Sequence, residues 1–79
     1  MTIDHLRQLH GARPFAPMTL HLTDGRSYKV NHPEMLWIPP QASRIVHLEV
    51  APDVTDYIDV LLITSVEVGN GSRRSKRNS

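Results

Sequence analysis

Proline interrupts this chain so often that no long helix can cross its middle. The six prolines lie at positions 14, 17, 33, 39, 40 and 52 of the 79 residues. Proline inside a helix removes a backbone hydrogen bond and clashes with the preceding turn, and it moves the residue before it out of the α region. Several of the stretches between these breaks alternate apolar and polar residues, as half-buried strands do. The sequence therefore predicts a mainly β domain built from short elements.

The clearest helical stretch precedes the first proline, at residues 2–10. Thr2 is a favoured N-cap residue, and Gly11 can adopt the left-handed conformation that often ends a helix. Three apolar residues recur at every third position: Ile3, Leu6 and Leu9. Because so short a helix is unstable alone in water, this apolar stripe is predicted to pack against the rest of the domain.

Residues 18–30 have the pattern of a β-hairpin centred on Gly25. A two-residue turn would place the apolar residues of the two strands on opposite faces of the hairpin. A three-residue loop at 23–25 instead sets Leu20 opposite Tyr28, so that the apolar residues share one face. The sequence therefore predicts a type I turn followed by a left-handed Gly25 in a β-bulge.

The remaining apolar residues up to position 68 predict short strands separated by turns. In order, the pattern predicts a helical turn at 33–36, a strand at 37–38, a strand at 44–50, a loop at 51–56, a strand at 57–60, a tight turn at 61–63 and a strand at 64–68. The predicted fold class is α+β, mainly β. A short N-terminal helix is followed by about five short antiparallel strands, which form a curled sheet or a small barrel.

Charge divides the chain into a predicted domain at residues 1–68 and a tail at residues 69–79. The net charge is +1, but all eight acidic residues precede position 68, where they outnumber the five basic residues. The domain therefore carries −3 and the tail +4. Because the tail has no apolar side chain to bury, it is predicted to be disordered. Its four cations are candidate nucleic-acid contacts, since they can bind phosphates: Arg73, Arg74, Lys76 and Arg77.

Few side chains have a spacing suited to catalysis or metal binding. The absence of cysteine excludes disulfides, thiolate metal ligands and a cysteine nucleophile. The five histidines lack the short regular spacing of zinc ligands. His21 and His47 alternate with apolar residues, so both are predicted to face solvent. We expect neither a metal site nor a cofactor.

His32 and Glu34, on either side of Pro33, form the most suggestive polar cluster. A histidine beside a carboxylate can act as a general acid–base pair. However, no nucleophile or phosphate-binding loop lies near them in the sequence, and so small a domain has little room for a cleft that excludes water. The two side chains are predicted to cap a turn, and the protein is not predicted to be an enzyme.

Trp37, the only tryptophan, has two candidate roles. Because the chain has only four aromatic residues, the core has the first claim on Trp37. Tryptophan is also enriched at interface hot spots, and with Tyr28 it could form an exposed anchor. The candidate binding surface therefore comprises Tyr28, His32, Glu34 and Trp37.

An ordered set of motifs resembles a family of short, uncharacterised bacterial proteins. The motifs are Leu9-x3-Arg13-Pro14-Phe15-x-Pro17, Leu20-x-Leu22-x-Asp24-Gly25-Arg26, His32-Pro33-Glu34 and Ile58-Asp59-x-Leu61-Leu62-Ile63-Thr64-Ser65. The resemblance covers residues 2–68 and implies no activity, because none is assigned to that family. The order of elements is more distantly similar to Sm-like and SH3-like small barrels. The motifs with which RNA-binding Sm proteins hold a base are not present here.

Together these observations predict a non-enzymatic module that binds a protein partner or a second copy of itself. The alternative is weak binding of RNA or DNA through the basic tail. No apolar stretch approaches the roughly 18 residues that span a bilayer. The first residues also lack an apolar signal segment, so the protein is predicted to be cytoplasmic and not to associate with membranes.

Overall fold

The computed structural model describes residues 1–41 and 44–69. Its elements are, in chain order, helix α1 (Ile3–Gly11), strands β1 (Met18–Leu22) and β2 (Ser27–Val30), a one-turn 3₁₀ helix (Pro33–Met35), strands β3 (Leu36–Trp37), β4 (Ile45–Ala51) and β5 (Val54–Asp59), a second 3₁₀ turn (Val60–Leu62), and strand β6 (Ile63–Val68). The mainly β fold with a short N-terminal helix is confirmed, with six strands in place of about five. In the described part of the chain, no helix is long and apolar enough to cross a membrane.

The strands form two three-stranded antiparallel sheets. The first sheet has the order β2-β1-β6, and the second sheet has the order β3-β4-β5. Within residues 1–41 and 44–69, no strand pairing joins the two sheets into a closed barrel. The 3₁₀ turn at Pro33–Met35 separates β2 from β3, because a turn that begins with proline does not continue a strand ladder. The second turn, Val60–Leu62, returns the chain to the first sheet.

One apolar core lies between the sheets and the helix. Its twelve buried residues come from every strand, from α1, from the second turn and from the position just after β3: Leu6, Met18, Leu20, Leu22, Val30, Leu36, Ile38, Val46, Leu48, Ile58, Val60 and Ile63. Leu6 is fully buried, which confirms that the helical stripe packs against the sheets. Each such leucine contributes roughly 1.5–3 kcal/mol of burial free energy, so this core accounts for most of what holds the small domain together.

The first hairpin has the predicted register. Leu20 lies opposite Tyr28 and Met18 opposite Val30. Gly25 has a φ of 92°, so the left-handed residue of the three-residue loop is confirmed. The amide of Leu22 donates to the carbonyl of Arg26 at 2.9 Å and closes the loop.

The end of α1 differs from the prediction. Thr2 does cap the N-terminus, since its hydroxyl accepts from the amide of His5 at 3.2 Å. Gly11, however, is the last helical residue, and the extended Ala12 takes the C-cap position. The guanidinium of Arg13 donates to the carbonyls of His10 at 3.1 Å and Ala12 at 2.8 Å. The Arg13 side chain thus satisfies carbonyl groups at the end of the helix. The sequence predicts a left-handed Gly11 in this role, but Gly11 is still helical.

The loop predicted at 51–56 is wrong. β4 continues to Ala51 and β5 begins at Val54, which is its partner across the turn. Only Pro52 and Asp53 connect them, and Asp53 adopts a left-handed φ of 64°. Aspartate tolerates this conformation better than most residues do, so a tight turn forms here without glycine.

Candidate binding surface on the second sheet

The register of the second sheet aligns three ring-bearing side chains. Trp37 of β3 lies opposite His47 of β4, and His47 lies opposite Tyr57 of β5. Successive side chains of a strand point to opposite faces. The buried neighbours of these residues, Leu36, Val46, Leu48 and Ile58, point into the core. Trp37, His47 and Tyr57 therefore share the outer face of the sheet, and we call them the aromatic row.

The rings of the aromatic row contact one another in favourable geometries. The ring centroids of Trp37 and His47 are 4.8 Å apart with an interplanar angle of 88°, an edge-to-face contact. The rings of His47 and Tyr57 are stacked, with centroids 4.4 Å apart and an angle of 17°. Edge-to-face and offset-stacked pairs are the arrangements that aromatic rings prefer. The three rings therefore form one continuous set of contacts across the sheet.

Solvent reaches most of this row. Trp37 is 55% exposed and Tyr57 is 70% exposed. The core role favoured for Trp37 by the sequence is wrong. β3 contributes only two residues to the sheet, and its single inward position is occupied by Leu36. Exposed aromatic groups set side by side mark interaction surfaces more often than isolated apolar residues do.

Carboxylates lie beside the row on the same face. Glu49 lies two residues beyond His47 and is exposed, and it forms no ion pair with any described residue. Asp59, opposite Ile45, is held by the guanidinium of Arg44, whose Nε lies 3.3 Å from its Oδ1. This hydrogen bond from Arg44 lowers the pKa of Asp59, and the amide of Leu61, which donates to Oδ1 at 2.9 Å, lowers it further. The face thus combines aromatic rings with acidic oxygens.

Tyr28 does not belong to this surface. Its hydroxyl donates to the carboxylate of Asp56 at 2.7 Å and accepts from the guanidinium of Arg26 at 2.8 Å. The hydrogen bond to Asp56 raises the pKa of the Tyr28 hydroxyl. Because Tyr28 is in the first sheet and Asp56 in the second, this bond links the two sheets. Tyr28 thus lies outside the aromatic row, and a shared binding surface of Trp37 with Tyr28 stays a prediction.

His32 and Glu34 are exposed and lie at the first 3₁₀ turn. His32 occupies the N-cap position, but its side chain makes no capping hydrogen bond. The amide of Met35, to which a capping side chain would bond, is taken by the backbone carbonyl of His32 at 3.1 Å. The predicted capping role of the His32 side chain is therefore wrong. No hydrogen bond or ion pair connects His32 with Glu34 in the described residues.

The candidate nucleic-acid contacts fall outside the described residues. Arg73, Arg74, Lys76 and Arg77 all follow Gly69, the last residue that the structure describes. The amide of Gly69 donates to the carbonyl of Pro17 at 2.8 Å, which fixes the point from which this segment departs.

The outer face of the first sheet holds a polar cluster that the sequence did not predict. His21 and Glu67 are joined at 2.9 Å between Nε2 and Oε1, and Ser65 lies opposite His21 in the register. They line an open depression of about 510 Å³. No hydrogen bond joins Ser65 to His21 in the described part, so the serine is not activated as a nucleophile is. Residues 1–41 and 44–69 also contain no group of three His, Asp or Glu side chains that could hold a metal ion.

No protein-family model, curated protein or solved structure matches this chain. The resemblance to short bacterial proteins, and the more distant one to Sm-like and SH3-like barrels, therefore stay predictions.

Proposed function

We propose that this protein is a non-enzymatic interaction module whose aromatic row binds an extended peptide segment of a partner protein. The observation that carries the proposal is the row itself, in which Trp37 and Tyr57 are mostly exposed although both are large and apolar. Tryptophan and tyrosine are the residues most enriched at interface hot spots. A partner that covers these rings removes their apolar surface from water, and this burial contributes favourable free energy to binding.

The width of the row favours a peptide over a second copy of the domain. The row crosses three strands, whose spacing of about 4.8 Å gives a distance near 10 Å between the outer two. β3 contributes only Leu36 and Trp37, so the flat part of this face is narrow. A stable pair of domains usually buries about 800 Å² on each side, whereas one aromatic side chain buries at most roughly 150–250 Å². A single extended segment fits the available surface.

A role without catalysis is supported by the placement of the polar side chains. His32 and Glu34 are both exposed at the surface. The His21–Glu67 pair lies in an open depression on the other sheet. General acid–base catalysis relies on groups held together in a site that excludes water, and neither pair offers one. The cytoplasmic location and the likeness to small Sm-like or SH3-like domains belong to the same proposal.

A second candidate function is weak binding of RNA or DNA. It is favoured by the four cations of the tail: Arg73, Arg74, Lys76 and Arg77. Four cations allow a log–log salt slope of at most about −3.6 on duplex DNA. It ranks second because the rest of the chain carries −3, and Glu49 lies on the same face as the aromatic row. Both repel phosphate.

The proposal is tested by selecting peptides from a displayed random library on the immobilised full chain, and then measuring the affinity of the synthetic consensus peptide. Trp37→Ala and Tyr57→Ala are each expected to weaken binding at least about tenfold, as hot-spot truncations do. Leu61→Ala is the matched control, because Leu61 is 59% exposed but lies outside the row. Failure to select a consensus, or equal affinity in all variants, would overturn the proposal.

A further inference from the structure

We infer that two copies of this protein pair along β5, in a symmetric antiparallel dimer centred on Tyr57. Each copy contributes its Tyr57 ring to the junction, so that the two aromatic rows become one longer row. The pairing takes place at the edge of the second sheet and not on its face. The face stays open to the peptide of the proposed function, and this inference goes beyond that function without depending on it.

The unused hydrogen-bonding groups of β5 are the first argument. β5 is an edge strand, because β4 is its only neighbour in the sheet. Where the β4–β5 ladder ends, the amide of Val60 donates to the carbonyl of Arg44 at 2.8 Å. Since alternate residues of an antiparallel strand bond to the same neighbour, the amides and carbonyls of Thr55, Tyr57 and Asp59 point away from β4. No backbone hydrogen bond in the described part of the chain uses these groups, so they can pair with another strand.

The other edge strands offer a poorer template. β3 has only two residues and β2 has only four. The register of β6 with β1 shifts, and the ammonium group of Met1 donates to the carbonyl of Ile63 at 3.3 Å. β5 has six residues, and its register with β4 is regular from Thr55 to Asp59. It is therefore the longest regular edge of the described structure.

Charge and length select the register of the pair. When Tyr57 lies opposite Tyr57 of the second copy, Thr55 lies opposite Asp59 of that copy. The threonine hydroxyl can donate to this carboxylate. Asp56 then lies opposite Ile58, so no two carboxylates face each other. A centre at Asp56 would oppose the two Asp56 side chains, and like charges directly opposite each other destabilise a strand pair. Centres nearer either end of β5 leave fewer residues paired.

The open ring face of Tyr57 is the next argument. His47 stacks on one face of this ring, with the centroids 4.4 Å apart. The other face has no ring neighbour among the described residues, and Tyr57 is 70% exposed. Side chains directly opposite each other in an antiparallel pair have Cβ atoms about 4.5–5.5 Å apart, which lets two tyrosine rings stack. The second copy thus covers the ring face that His47 leaves open.

The size of this contact predicts a weak dimer. Thr55, Tyr57 and Asp59 each exchange backbone hydrogen bonds with the second copy, but one pair of strands buries little side-chain area. Stable complexes usually bury about 800 Å² on each partner, which such a contact does not reach. We therefore expect the dimer population to rise with protein concentration.

Sedimentation equilibrium of the full chain tests the association itself. The average mass is expected to rise from 9.0 kDa toward twice that value between about 10 μM and 1 mM, where weak pairs associate. Thr55→Pro removes an outward amide and is expected to keep the mass at the monomer value. A mass that stays at 9.0 kDa for the unmodified chain would overturn the inference.

Ser27→Pro is the matched control on the other sheet. The amide of Leu22 donates to the carbonyl of Arg26, so by alternation the amide of Ser27 also points outward from an edge strand. Proline is tolerated on an edge strand where the amide faces solvent. Ser27→Pro is expected to associate as the unmodified chain does. Equal association of both proline variants would show that the copies do not pair at β5.

Disulfide cross-linking tests the register and leaves Tyr57 in place. Because the chain has no cysteine, Thr55→Cys and Asp59→Cys each introduce a single thiol. In the mixture the two cysteines lie opposite each other at about 5.5 Å between Cα atoms, a distance that a disulfide spans. In either variant alone the cysteines are more than about 13 Å apart, because four residues separate them along the strand.

With oxidised glutathione as the oxidant, the mixture is expected to form the mixed dimer at least about tenfold faster than either variant links to itself. Equal rates, or no mixed dimer, would overturn the inference even if the proline variant fails to fold. Peptides can be selected on the row of a monomer, and a dimer can form without any peptide. The two proposals therefore fail separately.

Discussion

The two sheets bury similar inner faces but present different outer faces. On the first sheet the outward positions of the central and edge strands hold Thr19, His21, Ser27, Lys29, Ser65 and Glu67. On the second sheet the corresponding central positions hold the aromatic row. The outer face of the first sheet therefore carries polar and charged side chains, as the solvated face of an antiparallel sheet commonly does. The second face keeps large aromatic rings exposed to water, and this difference supports the proposal that the second sheet binds a partner.

The largest expected effect tests whether the inner faces belong to one core. Leu20 of the first sheet and Leu48 of the second are fully buried. Leu20→Ala and Leu48→Ala are each expected to lower the free energy of unfolding by about 2–5 kcal/mol in urea titrations, because both leave a cavity. Leu61→Ala, at an exposed site, should change it by no more than about 0.5 kcal/mol. A large loss for only one of the two buried sites would show that the sheets do not share a core.

The two hairpins make the next comparison, since each requires one left-handed residue. A methyl group at Gly25 would meet no atom within 4 Å, so the cost of Gly25→Ala comes from the backbone conformation alone. We expect a loss of about 1–2 kcal/mol. Asp53→Gly is expected to change stability little, because relief of the left-handed strain and the entropy cost of glycine offset each other. Thermal unfolding of both variants is the measurement, and a larger loss at Asp53 than at Gly25 would contradict it.

Matched histidine variants compare the two outer faces directly. His47→Ala removes two ring contacts and is expected to lower stability by about 0.5–1 kcal/mol. His21→Ala removes one exposed pair with Glu67, for which we expect about 0.5 kcal/mol or less. Urea midpoints at neutral pH give both values. Equal losses would mean that the row adds no packing energy beyond that of a surface ion pair.

The smallest expected effect concerns acid stability. The pKa of Asp59 in the folded protein is lowered from 3.8 by Arg44 and the Leu61 amide. The interaction therefore stabilises the fold above that pH, and the stabilisation is lost as the pH falls through the lowered value. Asp59→Asn is expected to reduce stability at neutral pH and to flatten the decline of the unfolding midpoint below about pH 4. Asp24→Asn offers the comparison on the first sheet, where the Arg26 amide lowers the pKa of Asp24. An unchanged acid decline in Asp59→Asn would rule out this role for the carboxylate.

The sequence predicts best where one physical constraint acts locally. The parity of apolar residues around Gly25 was enough to set Leu20 opposite Tyr28, because a shift of one residue would have turned an apolar set toward solvent. The alternation around His47 likewise placed that side chain on the outer face. Turn lengths are harder to predict where no glycine marks the turn, and the sequence predicts a loop at 51–56 where the structure has a two-residue turn at Pro52 and Asp53.

The aromatic row could not be predicted because it depends on the register of three strands. Tyr57 faces His47 only because the two-residue turn at Pro52 and Asp53 is combined with a one-residue register shift between Glu49 and Ala51. Trp37 joins them only because β3 pairs at Leu36 and Trp37. Neither pairing can be predicted from residues that are adjacent in the sequence. The hydrogen bond between Tyr28 and Asp56 could not be predicted for a related reason, since the two residues are 28 positions apart and lie in different sheets.

The strand order also implies a sequence of events during synthesis. All three strands of the second sheet are consecutive, from Leu36 to Asp59, so this sheet can pair as soon as that stretch has emerged. The first sheet cannot be completed then, because Met18 of β1 pairs with Val68 of β6, which follows the second sheet in the chain. Contacts between distant residues form late, since a long loop must close first. The aromatic row is thus assembled while β1 still has an unpaired edge, and a nascent chain can expose these rings before its core is complete.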